Sequence, residues 1–251
     1  MRFERWQAQG NVYLVAEESL TPDAVRAEVG DTDGILEVTG RGEDWLDIVI
    51  WNPDGSTAEL SGNGTRIAAR WVARRAGTGE VTIAVGVREV HARMRGGLEV
   101  EMDMGAVEVA PTEALDVNGT QLEFTPVSVG NPHAVIARDP AREELLRLGP
   151  LVENHPRFPD RTNVQLVRVD SRADATAGVW ERGAGETLSS GTSACAVAGA
   201  AVVNGWCDSP VTVHLAGGDL LVELDSELHA RLTGSAQEIC TGELSTEWLA
   251  G

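Results

Sequence analysis

Two serines stand directly before glycine-containing turns that open alanine-rich segments. Ser61 begins Ser-Gly-Asn-Gly, and Ser190 begins Ser-Gly-Thr-Ser. A helix that starts at such a turn has backbone N–H groups without an intrahelical partner, and its macrodipole favours negative charge there. A carboxylate or a developing carbanion would be stabilised at such a helix start. We therefore predict two anion-binding helix starts, each with a hydroxyl group beside it.

A second pair of segments indicates an internal duplication of the chain. Gly10–Asn11 and Gly130–Asn131 each follow a strand-like run, in the same order as the two serine turns. Repeats of roughly 120 residues are domain duplications and not solenoid units. We therefore predict two similar halves, residues 1–112 and 113–251, with the linker at residues 105–119.

Each predicted half is mainly an antiparallel sheet wrapped around one central buried helix, an α+β fold. Alternating apolar residues indicate the strands, and residues 193–204 are apolar on every side, as in a helix enclosed by other structure. The helix after Ser61 is expected to end near Gly77. One side of it is expected to reach water because it carries four arginines, which are Arg66, Arg70, Arg74 and Arg75.

A duplicated chain can offer one side chain from each half to opposite faces of one ligand. Inversion of a carbon centre needs this arrangement, because one group removes the α-proton while the other delivers a proton from behind. The two helix starts would hold the substrate α-carboxylate and stabilise charge that develops at the α-carbon. The residue types therefore predict a two-base proton transfer.

Composition and motifs argue against several classes of ligand. A formal net charge of −19 over 251 residues, without a local basic stripe, argues against nucleic acid. Phosphate-loop and dinucleotide motifs are missing, and the five histidines lack ligand spacing, so we expect no cofactor and no metal. No run reaches membrane length, the chain starts without an apolar leader, and three cysteines fit a reducing compartment. We expect a cytoplasmic protein that acts on a small molecule and binds no membrane.

Three motifs around these turns resemble the diaminopimelate epimerase family. They lie at Asn52–Arg66, Gly130–His133 and Glu181–Ala196, and shorter matches follow the family's order over nearly the whole chain. The resemblance implies two similar halves, each wrapping a central helix, with the active site between them. It also implies a homodimer and a cofactor-independent isomerase. The implied reaction is the epimerisation of a small amino acid, LL- to meso-diaminopimelate, in lysine biosynthesis.

The resemblance also assigns the site residues. Ser61 and Ser190 stand at the two catalytic positions, and His133 and Glu181 would orient or polarise those side chains. By matching position, the substrate would be bound by Asn11, Asn52, Gly62, Asn63, Asn131, Asn163, Glu181, Arg182, Gly191 and Thr192.

The two serines depart from the family, whose catalytic residues are cysteines. A thiol has an ordinary pKa of about 8.5, whereas a serine hydroxyl is a far weaker acid that acts as a base only beside another base. Three explanations stay open. The chain is an engineered double Cys→Ser variant, or a natural paralogue with another substrate or step, or a protein that has lost catalysis and kept amino-acid binding. A paralogue could be a different isomerase or a dehydratase with Glu181 or His133 as its single base.

Overall fold

The computed structural model describes residues 2–58 and 60–243, which form four helices and nineteen strands. The elements up to residue 106 are β1 (Arg2–Ala8), β2 (Asn11–Ala16), α1 (Pro22–Glu28), β3 (Gly34–Arg41), β4 (Trp45–Trp51), β5 (Thr57–Ala58), α2 (Gly62–Ala76), β6 (Glu80–Val85), β7 (Arg88–Gly96) and β8 (Glu99–Ala106). The elements that follow are β9 (Glu108–Val109), β10 (Glu113–Val117), β11 (Thr120–Ser128), β12 (Pro132–Ala137), α3 (Arg142–Glu153), β13 (Asn163–Val169), β14 (Asp174–Glu181), β15 (Gly185–Thr187), α4 (Gly191–Val203), β16 (Val211–Leu215), β17 (Gly218–Leu224), β18 (His229–Ser235) and β19 (Gln237–Glu243).

The chain folds into two compact units. The first unit comprises Met1–Asp103 and Thr233–Gly251, and the second comprises Met104–Leu232. The last strand belongs to the first unit, because β19 pairs antiparallel with β1. The division into duplicated halves at residues 1–112 and 113–251 stays a prediction.

Each unit repeats the same order of strand pairings. In the first unit β1 and β2 are antiparallel, β2 and β3 parallel, β3 and β4 antiparallel, β4 and β6 parallel, and β6 and β7 antiparallel. In the second unit the same sequence of pairings runs through β11, β12, β13, β14, β16 and β17. Helix α2 follows β5 and helix α4 follows β15, so the two serine turns occupy equivalent places in the topology. The prediction of an α+β fold is confirmed.

Helix α2 has one water-facing side, but that side is narrower than predicted. The helix ends at Gly77, which adopts a left-handed conformation (φ 73°) that glycine reaches without steric cost. Arg74 and Arg75 are exposed, whereas Arg66 is completely buried. The prediction for Arg66 was wrong because its guanidinium donates inside the protein, to Gln9 and to Asn63 of the same helix.

Most of helix α4 is buried, as its all-apolar composition predicts, but Val203 at its last position is exposed. Its alanines and Cys195 belong to one core cluster together with strand residues of the second unit. Gly199 lets the side chain of Val107 approach the helix closely, because a Cβ there would lie 2.7 Å from Val107 Cγ1. Within the part of the chain that the structure describes, no helix is long and apolar enough to cross a membrane.

Residues 105–119 do not form a linker, contrary to the prediction. They contain β9 and β10, and β10 pairs antiparallel with β11. Leu115 and Val117 are buried in a core cluster with Leu148 of α3. The acidic and proline residues of this segment suggested a solvated connection, whereas the apolar residues two positions apart place one face of a strand in the core.

Candidate active site

The two serines have nearly the same backbone conformation at the two helix starts. Ser61 is the N-cap of α2 with φ −138° and ψ 117°, and Ser190 is the N-cap of α4 with φ −146° and ψ 123°. Ser61 Oγ accepts a hydrogen bond of 3.0 Å from the backbone N–H of Gly64. Ser190 makes no side-chain bond of this kind to its own helix. The Ser190 hydroxyl is therefore not used as a helix cap.

Ser61 lies beside a phenol that the sequence did not indicate. The hydroxyl of Tyr13 lies 3.1 Å from Ser61 Oγ. Asn11 stands on the same face of β2 as Tyr13, because alternate strand residues share a face. Its side-chain oxygen accepts a hydrogen bond from Asn63 Nδ2 in the first turn of α2. Strand β2 thus contacts the α2 start through two side chains.

The buried side chain of Arg66 donates hydrogen bonds to two polar side chains near the α2 start. Arg66 Nη2 donates to Gln9 Oε1 at 2.7 Å and also to Asn63 Oδ1. Gln9 is buried and has a positive φ of 43°, and its Nε2 donates to Ser235 Oγ at 3.1 Å. The turn before Asn11 and the first turn of α2 are therefore tied by one network.

Glu181 is the acidic group beside Ser190. Burial raises the pKa of the Glu181 carboxyl, while hydrogen bonding from the hydroxyls of Thr187 and Ser190 opposes that rise. Such bonding favours the ionised form and polarises the donating hydroxyls. The arrangement supplies Ser190 with the adjacent base that a serine needs for proton transfer.

A second carboxylate, Glu153, fixes the turn that follows Glu181. Its oxygens accept hydrogen bonds from Trp180 Nε1 at 2.7 Å and from the backbone N–H of Gly183 at 2.8 Å. Arg161 lies 3.2 Å away, and together these donors hold the pKa of the Glu153 carboxyl below its usual value despite burial. No feature of the sequence distinguishes Glu153, at the end of α3, from an ordinary surface glutamate.

Asn163 joins two loops of the predicted site. Its Nδ2 donates to the carbonyl oxygen of Pro132 at 3.0 Å, and its Oδ1 accepts from the backbone N–H of Arg182 at 2.9 Å. The Arg182 side chain reaches the carbonyl oxygen of Asp160 at 3.1 Å. Asn163 therefore positions Arg182 next to the Asn131 loop.

His133 is buried, with both ring nitrogens in hydrogen-bonding contacts. Its Nε2 lies 2.9 Å from Asn131 Oδ1, and its Nδ1 lies 3.0 Å from Gln165 Nε2. Desolvation lowers the pKa of His133 to about 3, and the nearby charge of Arg182 adds to that effect. The imidazole is neutral near pH 7 and suits the orientation of Asn131 better than proton abstraction.

The α4 start has a second hydroxyl. Ser189 is buried, and its Oγ has no hydrogen-bond partner in the described part of the chain. A buried polar atom without a partner costs roughly 1–3 kcal/mol unless a ligand or solvent satisfies it. Gly191 and Thr192 open the first turn of α4, directly after Ser190, and the anion site there stays a prediction.

The other predicted site residues fall into two groups, one in each unit. Gly62 opens α2, as predicted, whereas Asn52 closes its own turn, since its Nδ2 donates to Ser56 Oγ at 3.0 Å. The first unit therefore groups Asn11, Ser61 and Asn63 with Tyr13 and Arg66. The second unit joins Asn131, His133, Asn163 and Arg182 by hydrogen bonds and places Glu181 beside Ser190. Within residues 2–58 and 60–243, no group of three or more His, Cys, Asp or Glu side chains could hold a metal ion.

Comparison with known proteins identifies the family. The family model for diaminopimelate epimerase matches residues 125–239. A diaminopimelate epimerase 2 from Nostoc sp. is 35% identical over 280 residues, an alignment covering 100% of this chain and 98% of that protein. The chain belongs to the diaminopimelate epimerase family. A diaminopimelate epimerase from Ectopseudomonas mendocina is 39% identical over 273 residues, covering 97% of this chain and 99% of that protein.

The fold of this diaminopimelate epimerase family member also resembles that of a solved structure. A protein from Pseudomonas aeruginosa described as a predicted epimerase superimposes with a TM-score of 0.70 at 21% identity, covering 98% of this chain and 99% of that chain. The relatives carry out epimerisation, and this family member is an isomerase. The sequence-based assignment to the family is therefore confirmed.

Proposed function

We propose that this chain is a cofactor-independent amino-acid epimerase that inverts an α-carbon by proton transfer through Ser61 and Ser190. The observation that carries the proposal is the position of Ser190, at the start of α4 and beside Glu181. Glu181 accepts the hydroxyl proton of Ser190 as Ser190 Oγ takes up the α-proton of the substrate. Ser61 delivers a proton to the opposite face of the same carbon.

The proposed substrate is diaminopimelate, LL to meso, as in lysine biosynthesis. The two relatives compared above are named for that substrate, which motivates its choice. Its α-carboxylate is assigned to the backbone N–H groups at Gly62, Asn63, Gly191 and Thr192, where helix macrodipoles favour an anion. Its other polar groups are assigned to the remaining predicted positions, which are Asn11, Asn52, Asn131, Asn163, Glu181 and Arg182.

Hydrogen exchange in heavy water tests the proposal. The parent chain, a Ser61→Cys/Ser190→Cys variant and a Ser19→Cys/Ser226→Cys control are each incubated with LL- and with meso-diaminopimelate. Ser19 and Ser226 are exposed serines outside the helix starts. Proton NMR follows loss of the α-hydrogen signal, and chiral chromatography follows the product.

The expected result is α-hydrogen exchange in the parent chain and faster exchange in the Ser61→Cys/Ser190→Cys variant. A thiolate is far more accessible near neutral pH than an alkoxide, so general-base efficiency rises. The Ser19→Cys/Ser226→Cys control should match the parent. Exchange only in the variant with cysteines at 61 and 190 would show that the serines do not support turnover. Thermal stabilisation by diaminopimelate without exchange would then indicate a binding protein.

A second candidate is an isomerase or dehydratase that uses Glu181 as a single base. The raised pKa of the Glu181 carboxyl favours this candidate, because it brings the group closer to the range useful for general-base catalysis. His133 suits the role less well, since its pKa of about 3 makes it a weak base. A single-base reaction would release a product with a shifted double bond or with water lost, and Ser61→Ala would leave its rate nearly unchanged.

The proposal also includes a cytoplasmic homodimer, as the family resemblance implies. Light scattering after size-exclusion chromatography measures the mass of the particle against the 26.7 kDa chain. A mass of one chain at micromolar concentration would contradict the dimer and leave the proposed reaction untouched.

A further inference from the structure

We infer that Tyr13 relays a proton to Ser61 and thereby makes this serine competent as the acid of the reaction. The inference rests on the proposed function and concerns the first unit alone. Tyr13 acts through Ser61 and is a positioning residue. It is also the single tyrosine of the chain, which makes it observable on its own.

The phenol is held in place by the strands around it. Tyr13 is buried, and its β2 position pairs with Gly34 of β3 in parallel register. A Cβ at Gly34 would lie 2.9 Å from Tyr13 Cε1 and 2.3 Å from the carbonyl oxygen of Trp51. Glycine at this position therefore lets the tyrosine ring pack directly against the backbone of β3, with its hydroxyl 3.1 Å from Ser61 Oγ.

The contacts of Ser61 determine which proton it can release. Its Oγ accepts from the N–H of Gly64 at 3.0 Å, and it can accept a second hydrogen bond from the Tyr13 hydroxyl. With both acceptor sites filled, the hydrogen of Ser61 itself is available to a substrate. Two donors and the α2 macrodipole all stabilise negative charge on this oxygen. The arrangement favours Ser61 as a proton donor.

The tyrosine hydroxyl is a stronger acid than the serine hydroxyl. An ordinary tyrosine has a pKa of about 10, so a phenol releases its proton far more readily than a serine hydroxyl. In the proposed step the O–H bond of Ser61 breaks as its proton bonds to the electron pair of the α-carbanion. The hydroxyl proton of Tyr13 passes to Ser61 Oγ at the same time. The electron pair left on the tyrosine oxygen forms a phenolate, which regains a proton from water.

A double-mutant cycle between positions 13 and 61 tests the relay. Tyr13→Phe removes one oxygen and keeps the ring, and Ser61→Cys replaces the serine with a thiol that needs no relay. We expect Tyr13→Phe to lower kcat for α-hydrogen exchange at least about 10-fold in the Ser61 chain, with KM changed less than about 2-fold. In the Ser61→Cys chain the same substitution should change kcat less than about 2-fold. Thermal unfolding of all four proteins controls for folding.

The contact itself is tested without turnover. The carbon-13 signal of the tyrosine Cζ, labelled in the chain's single tyrosine, reports hydrogen bonding of its hydroxyl. Ser61→Ala should move this signal, whereas the exposed control Ser19→Ala should leave it in place. An unmoved signal in Ser61→Ala overturns the inference.

The possible outcomes separate the relay from the proposed function. An equal effect of Tyr13→Phe in the Ser61 and Ser61→Cys chains shows a structural role, overturning the relay while epimerisation stands. Absence of exchange in the parent overturns both the relay and the proposed function. If cysteines at 61 and 190 then restore exchange, the serines are the reason that the parent is inactive. A loss of kcat confined to the Ser61 chain, together with the shifted tyrosine signal, supports the relay.

Discussion

Gln165 Nε2 lies 3.0 Å from His133 Nδ1 inside the second unit. Gln165 is completely buried, and its Nε2 also lies 3.0 Å from Ser193 Oγ in the first turn of α4. The amide donates to Nδ1, so the imidazole proton sits on Nε2 and points to Asn131 Oδ1. This bond makes His133 a neutral link between the Asn131 loop and the α4 start.

The buried neutral state of His133 predicts acid sensitivity. The pKa of His133 is lowered to about 3 by burial, whereas an unfolded histidine titrates near pH 6.5. Between these values the unfolded chain binds a proton that the folded chain does not. The free energy of unfolding should therefore fall as pH drops from about 6.5 towards 3, with a contribution of about 1.4 kcal/mol per pH unit from this residue.

Urea unfolding at a series of pH values measures this contribution. His133→Gln should flatten the pH dependence of the unfolding free energy between pH 4 and 6, and the exposed control His91→Gln should leave it as in the parent. A parent chain whose stability is constant over this range would contradict the prediction, even if His133→Gln failed to fold.

The Glu181 carboxylate should lower the stability of the fold while being required for activity. Burial raises the pKa of its carboxyl, so at neutral pH the ionised form costs folding free energy. Glu181→Gln should raise the free energy of unfolding at pH 7 and abolish α-hydrogen exchange. The stability gain should shrink as pH falls through the folded pKa towards the ordinary value, because both chains are then neutral at this position.

Glu186 is the matched control for Glu181. It lies in β15, the strand that pairs with β14 of Glu181, is exposed and pairs with Arg142 at 2.8 Å. Glu186→Gln should keep both activity and stability close to those of the parent, since exposed ion pairs contribute little. Equal loss of exchange in Glu181→Gln and Glu186→Gln would show that the β14–β15 hairpin, and not the Glu181 carboxyl, is required.

The Arg66 network should be important for stability. Arg66→Ala removes a completely buried side chain and leaves Gln9 Oε1 and Asn63 Oδ1 without their donor. We expect a loss of about 2–4 kcal/mol in the free energy of unfolding. The control on the same helix is Arg74→Ala, whose exposed ion pair with Glu238 should be worth less than about 1 kcal/mol. Similar losses in both variants, measured by urea unfolding, would refute this.

The close contacts at Gly199 predict that a larger residue at this position overpacks the core. A Cβ at this position would lie 2.7 Å from Val107 Cγ1 and 3.3 Å from Val109 Cγ2. Gly199→Ala should lower the free energy of unfolding by about 1–3 kcal/mol, the usual cost of forcing extra volume into a packed core. Gly79→Ala meets no atom within 4 Å and serves as the control. A Gly199→Ala chain as stable as Gly79→Ala would show that Val107 moves freely.

The tertiary structure decided the partners of the predicted residues. Ser61 and Tyr13 are 48 positions apart, and Glu153 lies 30 positions before the Gly183 N–H that it holds. Such contacts depend on which strands pair and in what register, and short sequence patterns do not encode that. The prediction that Arg66 faces water was wrong for the same reason. Helical periodicity placed it with the other arginines, but the fold buries its guanidinium where Gln9, 57 positions away in the chain, accepts a hydrogen bond from it.

The sequence by itself determined the two helix starts, the buried α4 and the family, because N-caps, glycine turns and apolar faces are local properties of the chain. It also located Ser61 and Ser190 at equivalent turns. Only the tertiary structure showed that Ser61 adjoins Tyr13 and that Ser190 adjoins Glu181. The proton-transfer properties of a hydroxyl depend on its neighbours in space, and the fold alone supplies those neighbours.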